Sequence, residues 1–219
     1  MKKTYLLLIC LLLSFSAEAE RTSLLQTPSG RDSIERYMLS GNYNQEIQAK
    51  LEEAWRYLDH RIQNQQNEKL AIVLDIDETA LSYYDDLKRN AFTGNSEAAA
   101  AAYMLANGKA IEPILNLYQY AIQQKVDVFF ITGRPATPEI TNATTQNLRA
   151  AGYNSWAKLY LRPIENDTMS ISDYKTRARK EISNLGYTII LNIGDQEVDL
   201  KGGFSEANIK LPNPFYKTT

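Results

Sequence analysis

Residues 72–84 read IVLDIDETALSYY, an apolar run that stops abruptly at Asp75, Asp77, Glu78 and Thr79. With Leu70 and Ala71 in front of it, the run from Leu70 to Leu74 has the length and unbroken apolar character of a strand buried on both faces. In extended backbone residues i and i+2 point the same way, so Asp75 and Asp77 face one centre while Ile76 turns back into the protein. Carboxylates placed so close repel unless a cation or a proton separates them.

Three further short apolar runs follow, Val126 to Ile131, Lys158 to Leu161 and Thr188 to Ile193, with helical patterns between them. That alternation indicates parallel strands. Ile47, Leu51, Trp55, Leu58 and Ile62 recur at helical spacing and predict an amphipathic helix over 43–65. A helix runs from about Ser96 to Asn107 before Gly108, and Pro113 opens another that reaches Gln124. Thr137 and Pro138 start the next, which Gly152 closes, and Ser172 or Asp173 caps one that ends near Gly186. The expected fold class is therefore α/β: a three-layer, Rossmann-like domain whose ligands bind outside the carboxyl ends of the strands. Thr132 follows one strand and Asp195 another, so three strand ends deliver polar groups to the edge where Asp75 and Asp77 lie.

Composition narrows the chemistry. Lys2 and Lys3 precede an apolar run from Tyr5 to Phe15 and then Ala17-Glu18-Ala19, the form of a cleaved secretory signal over residues 1–19. An exported protein is expected, periplasmic or secreted, with no membrane attachment after cleavage, because no second long apolar run follows. Removing residues 1–19 takes away Lys2, Lys3 and Glu18, leaving 22 basic and 25 acidic residues and a formal charge of −3. Nothing in that balance fits a nucleic-acid polymer. The only cysteine, Cys10, lies in the signal, which excludes cysteine nucleophiles and disulfides from the mature chain. His60 is the only histidine and sits in a helical pattern, which excludes histidine nucleophiles and multi-histidine metal sites. Any metal must be held by oxygen, and a hard divalent cation such as Mg²⁺ suits the carboxylates.

The order of these residues resembles the haloacid-dehalogenase (HAD) superfamily of phosphatases. Asp75, Asp77 and Thr79 match its D-x-D-x-T signature, Thr132 in FFITGRP its hydroxyl motif, Lys175 in SDYKTRARKEI its lysine, and Asp195 and Asp199 in NIGDQEVDL its acidic pair. The segments ITGR, GYNSWAKLYLRP and KLPNPFY look like the acid-phosphatase branch that holds plant acid phosphatases, vegetative storage proteins and bacterial class B and C enzymes. The resemblance covers about Lys69 to Tyr216. It implies a HAD domain over 69–219 with a small cap at about 80–112, preceded by a helical extension over 20–68.

The resemblance also implies roles. Asp75 would be the nucleophile that becomes an aspartyl phosphate, and Asp77 the acid and base. Thr132 and nearby backbone N–H groups, as at Gly133, would bind the phosphoryl group, and Lys175 would neutralise its charge; Arg134 either touches the substrate or holds the helix entrance, and Tyr83 and Tyr84 either reach the substrate from the cap or pack its core. Asp75, Asp195, the backbone carbonyl of Asp77, and Asp199 as a ligand or as an acceptor behind one, would hold Mg²⁺. The substrate would be a small phosphate ester, with broad specificity that includes nucleoside monophosphates. Arg177 and Arg179 read as exposed charges. The competing reading is a noncatalytic storage or binding protein of the same fold; storage members of this branch have lost the nucleophile, and Asp75 is present here.

Overall fold

The computed structural model describes residues 27–93, 96–164 and 169–218, so the signal read over 1–19 lies outside the described residues. Two helices come first, α1 (Pro28–Leu39) and α2 (Asn42–Gln63). The inward face of α2 is Tyr43, Ile47, Leu51, Ala54 and Leu58, which is the predicted helical stripe with Trp55 at its half-buried margin. His60 is exposed near its end.

The sheet follows the apolar runs. Strands β1 (Lys69–Leu74), β4 (Asp127–Pro135), β5 (Lys158–Arg162), β6 (Tyr187–Gly194) and β7 (Ala207–Lys210) lie in the order β5-β4-β1-β6-β7, every pair parallel. Side chains alternate across it. Ile72, Leu74, Val128 and Phe130 face one layer, with α2 and α5 (Glu112–Gln123), while Ala71, Val73, Phe129 and Ile131 face the other, where α7 (Ile171–Asn184) brings Tyr174, Ala178 and Ile182. Both faces of the sheet are therefore covered, which is why its strands carry no polar alternation. β1 is central, and the chain order reverses beside it, a switch point that opens a crevice at the carboxyl ends of the strands.

Between β1 and β4 the chain makes a small cap: the short hairpin β2 (Leu81–Ser82) and β3 (Lys109–Ala110), with α3 (Tyr84–Arg89) and α4 (Ser96–Leu105) between them. Helix α6 (Pro138–Ala150) packs against α4 and carries the cap's weight on the core. After β6 a single short turn, α8 (Glu197–Leu200), precedes β7.

Two helix and strand limits differ from expectation. α7 is capped by Ser170, whose hydroxyl accepts from the Asp173 N–H at 3.0 Å, rather than by Ser172 or Asp173. β4 runs on past Ile131 to Pro135, because Thr132 still pairs with Leu161 of β5, so Thr132 is a strand residue.

Candidate active site

The carboxyl ends of β1, β4 and β6 and the first turns of α7 converge on a cavity of about 270 Å³ whose floor is charged and whose roof is the cap. Asp75 continues β1, held by its N–H donating to the Ile193 carbonyl at 3.0 Å. Lys175 Nζ donates to Asp75 Oδ1 and to Asp199 Oδ1, each at 2.5 Å, and all three residues are buried. Asp75 Oδ2 takes no protein donor among the described residues, and Asp75 lines the cavity.

Lys175 is the fifth residue of α7, two or three residues further in than a cap at Ser172 or Asp173 implied. Its place is explained by the carboxylates on either side of it more than by the helix dipole. Burial works against its ammonium, but Asp75 and Asp199 outweigh that and hold it charged, above the ordinary lysine range. Burial, opposed by Lys175, pushes Asp75 well above the usual carboxylate range.

Asp195, at the end of β6, is the most tightly tied of the group. Its Oδ1 accepts from Thr79 Oγ1 at 3.2 Å, and its Oδ2 accepts from Gln196 Nε2 at 2.5 Å and Asn213 Nδ2 at 2.6 Å. Burial, followed by repulsion from Asp199, pushes its carboxyl up to about 6. Asp199 uses both oxygens on the protein, Oδ1 for Lys175 and Oδ2 for the Gln196 N–H at 2.8 Å, which is the capping box of α8.

One oxygen from each of Asp75, Asp195 and Asp199 lies within 4.8 Å of the others. The side-chain oxygens of these three buried carboxylates meet one cation directly, the ammonium of Lys175, while Arg179 and Lys210 reach only the backbone carbonyls of Asp199 and Asp195, so the site is rich in oxygen donors and in negative charge. A hard divalent cation fits that set in charge and in ligand type.

Asp77 lies apart from this cluster. Its Oδ1 accepts from Arg134 Nη2 at 2.7 Å and its Oδ2 from Arg134 Nε at 3.1 Å, a side-on pairing with a guanidinium that has no exposed side-chain surface. The remaining Arg134 nitrogen, Nη1, donates to Thr144 Oγ1 at 2.9 Å, and the guanidinium carbon stands 4.2 Å from the Tyr103 ring centre. Arg134 thus joins the cap, α6 and Asp77. Thr132 is fully buried and its hydroxyl is turned to Asp77 Oδ2 at 3.5 Å and to the Arg134 N–H at 3.2 Å, so Gly133 forms the cavity wall at this point.

The cap aromatics divide. Tyr83 and Tyr103 line the cavity, whereas Tyr84 packs at a tilt against Phe92 and Phe215, themselves stacked, in a separate small cluster that also holds Ile34. Tyr216, two residues after Pro214, supplies a further cavity wall, and Leu87, Ala98, Ala102 and Ile171 make much of the rest. Arg179 corrects the sequence reading. It is buried, donating from Nη1 to the Asp199 carbonyl at 2.6 Å and from Nε to the Gly203 carbonyl at 2.9 Å, while Arg177 is exposed. The signal was available: Arg179 lies one turn after Lys175, on the same inward face as Ala178 and Ile182.

Sequence reasoning also passed over Glu78, Asn147 and Asn213. Glu78 adopts a left-handed backbone, φ 55°, which folds its carboxylate back to accept from the Tyr83 N–H at 2.7 Å and Ser82 Oγ at 3.2 Å. Burial pushes it up to about 8. Asn213 ties the C-terminal segment to Asp195, a contact that no local pattern announces.

A Rossmann-like core with carboxylates at the ends of β1 and β6 and a buried lysine between them defines the class of HAD phosphatases. The chain belongs to the HAD superfamily, subfamily IIIB, the acid phosphatases, whose family model matches residues 1–219. Its activity class is phosphomonoester hydrolysis. It is 30% identical over 189 residues to "Acid phosphatase 1" of Solanum lycopersicum, covering 84% of this chain and 73% of that protein. It is 29% identical to "Vegetative storage protein 2" of Arabidopsis thaliana over 193 residues, 85% of this chain and 71% of that protein. Among solved structures, the class C acid phosphatase of Bacillus anthracis, also solved with tungstate bound, shares the fold with a TM-score of 0.68 at 19% identity, over 92% of this chain and 85% of that one.

Proposed function

We propose that this protein is an exported, Mg²⁺-dependent phosphomonoesterase that works through an aspartyl phosphate on Asp75 and accepts small esters broadly, nucleoside monophosphates among them. The observation that carries the reading is the buried ion cluster at the end of the central strand, Lys175 bridging Asp75 and Asp199 at 2.5 Å each with Asp195 beside them. Asp75 and Asp195, with the backbone carbonyl of Asp77, would hold Mg²⁺, and Asp199 would orient its surroundings. Bound there, the cation supplies charge stabilisation for the phosphoryl oxygens.

The chain's own groups carry the steps. Asp75 Oδ2 attacks phosphorus, the ester P–O bond breaks, and its electron pair leaves on the ester oxygen, which takes a proton from Asp77. In the second half Asp77 removes a proton from water, whose oxygen attacks phosphorus and releases Asp75. Lys175 offsets charge on Asp75 and on the phosphoryl group, and the backbone at Thr132 and Gly133 receives phosphoryl oxygens. The two Asp77 oxygens are unequal: Oδ1 takes the shortest Arg134 contact, at 2.7 Å, and Oδ2 the longer ones, to Arg134 Nε at 3.1 Å and Thr132 Oγ1 at 3.5 Å, so Oδ2 is the oxygen on which a proton would be exchanged. Tyr103 and Tyr216 offer aromatic walls to the leaving group. Export rests on the Lys2-Lys3 and Tyr5 to Phe15 pattern, and no helix among the described residues is long and apolar enough to cross a membrane.

The test is hydrolysis of an aryl phosphate by purified protein with Mg²⁺, before and after chelation, followed by trapping of an acid-stable phosphoryl group on Asp75. Turnover that stops on chelation and returns with Mg²⁺ is the expected result. No turnover at any pH from 4 to 8 would establish the storage or binding reading instead.

A further inference from the structure

Asn147 stands on the inward stripe of α6, beside Ile140, Thr144 and Leu148, and is buried without lining the cavity. A buried amide must place both its ends. Its Nδ2 donates to the Gly108 carbonyl at 2.7 Å and its Oδ1 accepts from the Gly108 N–H at 2.9 Å, a two-point grip on the backbone where the cap returns to the core. That grip fixes which end of the amide is oxygen. The same Oδ1 lies 2.6 Å from Tyr83 Oη, so the phenol proton points to Asn147.

The consequence propagates. With its proton committed, Tyr83 Oη presents only lone pairs to Arg134 Nη2, 2.8 Å away, and Nη2 in turn donates to Asp77 Oδ1 at 2.7 Å. Tyr83 is also confined sterically, since a Cβ on Gly108 would fall 2.5 Å from its ring. Each polar atom from the Gly108 backbone to Asp77 therefore has one available role, and the chain of contacts sets where the Asp77 carboxylate stands.

We propose that Asn147 is a positioning residue for departure of the leaving group, acting through Tyr83 and Arg134 on Asp77. The proposal rests on the reading of Asp77 as general acid given above. When the ester P–O bond breaks, a nitrophenolate leaves unaided, whereas an alkoxide needs the Asp77 proton as the electron pair arrives on its oxygen. A carboxyl displaced by a fraction of an ångström therefore penalises alkyl esters selectively.

The experiment measures kcat/KM, with Mg²⁺ present, for a series of phosphomonoesters from 4-nitrophenyl to simple alkyl, in the wild type, Asn147→Ala, Tyr83→Phe and Asp77→Asn. Asn147→Ala and Tyr83→Phe are expected to lower the alkyl-to-aryl ratio by about tenfold, and Asp77→Asn by about a hundredfold or more. Tyr83→Phe keeps the ring and removes only the hydroxyl, so it decides the matter if Asn147→Ala does not fold. A merely structural role would lower both ester classes together. That outcome, with Asp77→Asn still selective, overturns the proposal; loss of selectivity in Asp77→Asn itself overturns the general-acid reading and the proposal with it.

Discussion

Asp75 and Asp77 leave the same strand on the same side, two residues apart, yet each meets different neighbours. Asp75 enters a buried group in which carboxylates outnumber cations, with Lys175 shared between it and Asp199. Asp77 is matched one to one by Arg134, whose guanidinium is held by Thr144 and Tyr83 and lies on Tyr103. The first surroundings want a further cation and leave one oxygen of Asp75 without a protein donor among the described residues. The second are already neutral and leave Asp77 oriented by the cap. Identical side chains thus stand in unlike surroundings, which fits the nucleophilic duty proposed for Asp75 and the acid-base duty proposed for Asp77.

Asp75→Asn is the severest break in that comparison. It removes the attacking oxygen while keeping the shape of the site, and turnover is expected to fall at least about 10⁴-fold for every ester, with the thermal midpoint unchanged or higher because one of the mutually repelling carboxylates is gone. Near-native hydrolysis by this variant would remove Asp75 from its role. Asp77→Asn sharpens the contrast: the loss is expected to reach about 10²- to 10⁴-fold for alkyl esters and less for activated aryl ones, read from the same substrate series.

Lys175→Met tests the Asp75 side through stability. With the ammonium gone, Asp75, Asp195 and Asp199 share a buried space with no lysine or arginine on any of their carboxylate oxygens, and removing one partner of a buried pair costs on the order of 3 to 5 kcal/mol. Denaturant unfolding in chelator at neutral pH is expected to show a loss of that size. A smaller loss at pH 4 than at pH 7 follows as well, since protonation of the carboxylates relieves the same repulsion. An unchanged midpoint at pH 7 would mean that Lys175 is not the group balancing the cluster.

The strands and the strand-end residues were legible because buried parallel strands carry no polar alternation, so a charge at the end of one stands out. β1 and Asp75, β6 and Asp195, and the helical stripe of α2 follow from that contrast alone. What stayed hidden depends on partners distant in sequence. Arg134 reads from the sequence as either a substrate contact or a support at the helix entrance, and its pairing with Asp77 and Tyr83 appears only once β4 sets it under the cap. Tyr84 follows Tyr83 in sequence, but α3 begins between them and sends the second ring to Phe215. Arg179 and Asn147 broke the expectation that polar residues on helices face water; each lies on a stripe whose neighbours are apolar, which is the periodic cue that finds them.

Glu78 completes the comparison from between the two aspartates' environments, and its buried carboxyl makes stability depend on pH. Its carboxyl is pushed from the ordinary 4.5 up to about 8, by burial first, against the Tyr83 N–H that favours the charged form. A folded-state value above the unfolded one means that the folded protein holds the proton more tightly, so the contribution to stability is fully present below pH 4.5 and is lost as pH rises through 8. Each pH unit across that window costs up to ~1.4 kcal/mol. Glu78→Gln keeps an oxygen to accept from the Tyr83 N–H and cannot ionise. In chelator, the variant and the wild type are expected to have similar stability near pH 4.5 and to diverge by a few kcal/mol in favour of the variant by pH 8, as measured by urea unfolding at each pH. Asp75 and Asp195 slope in the same direction and are present in both proteins, so the larger part of their contribution drops out of the difference. Parallel pH profiles for the two proteins would show that Glu78 is ionised in the fold, with its charge met by a group other than Tyr83 and Ser82.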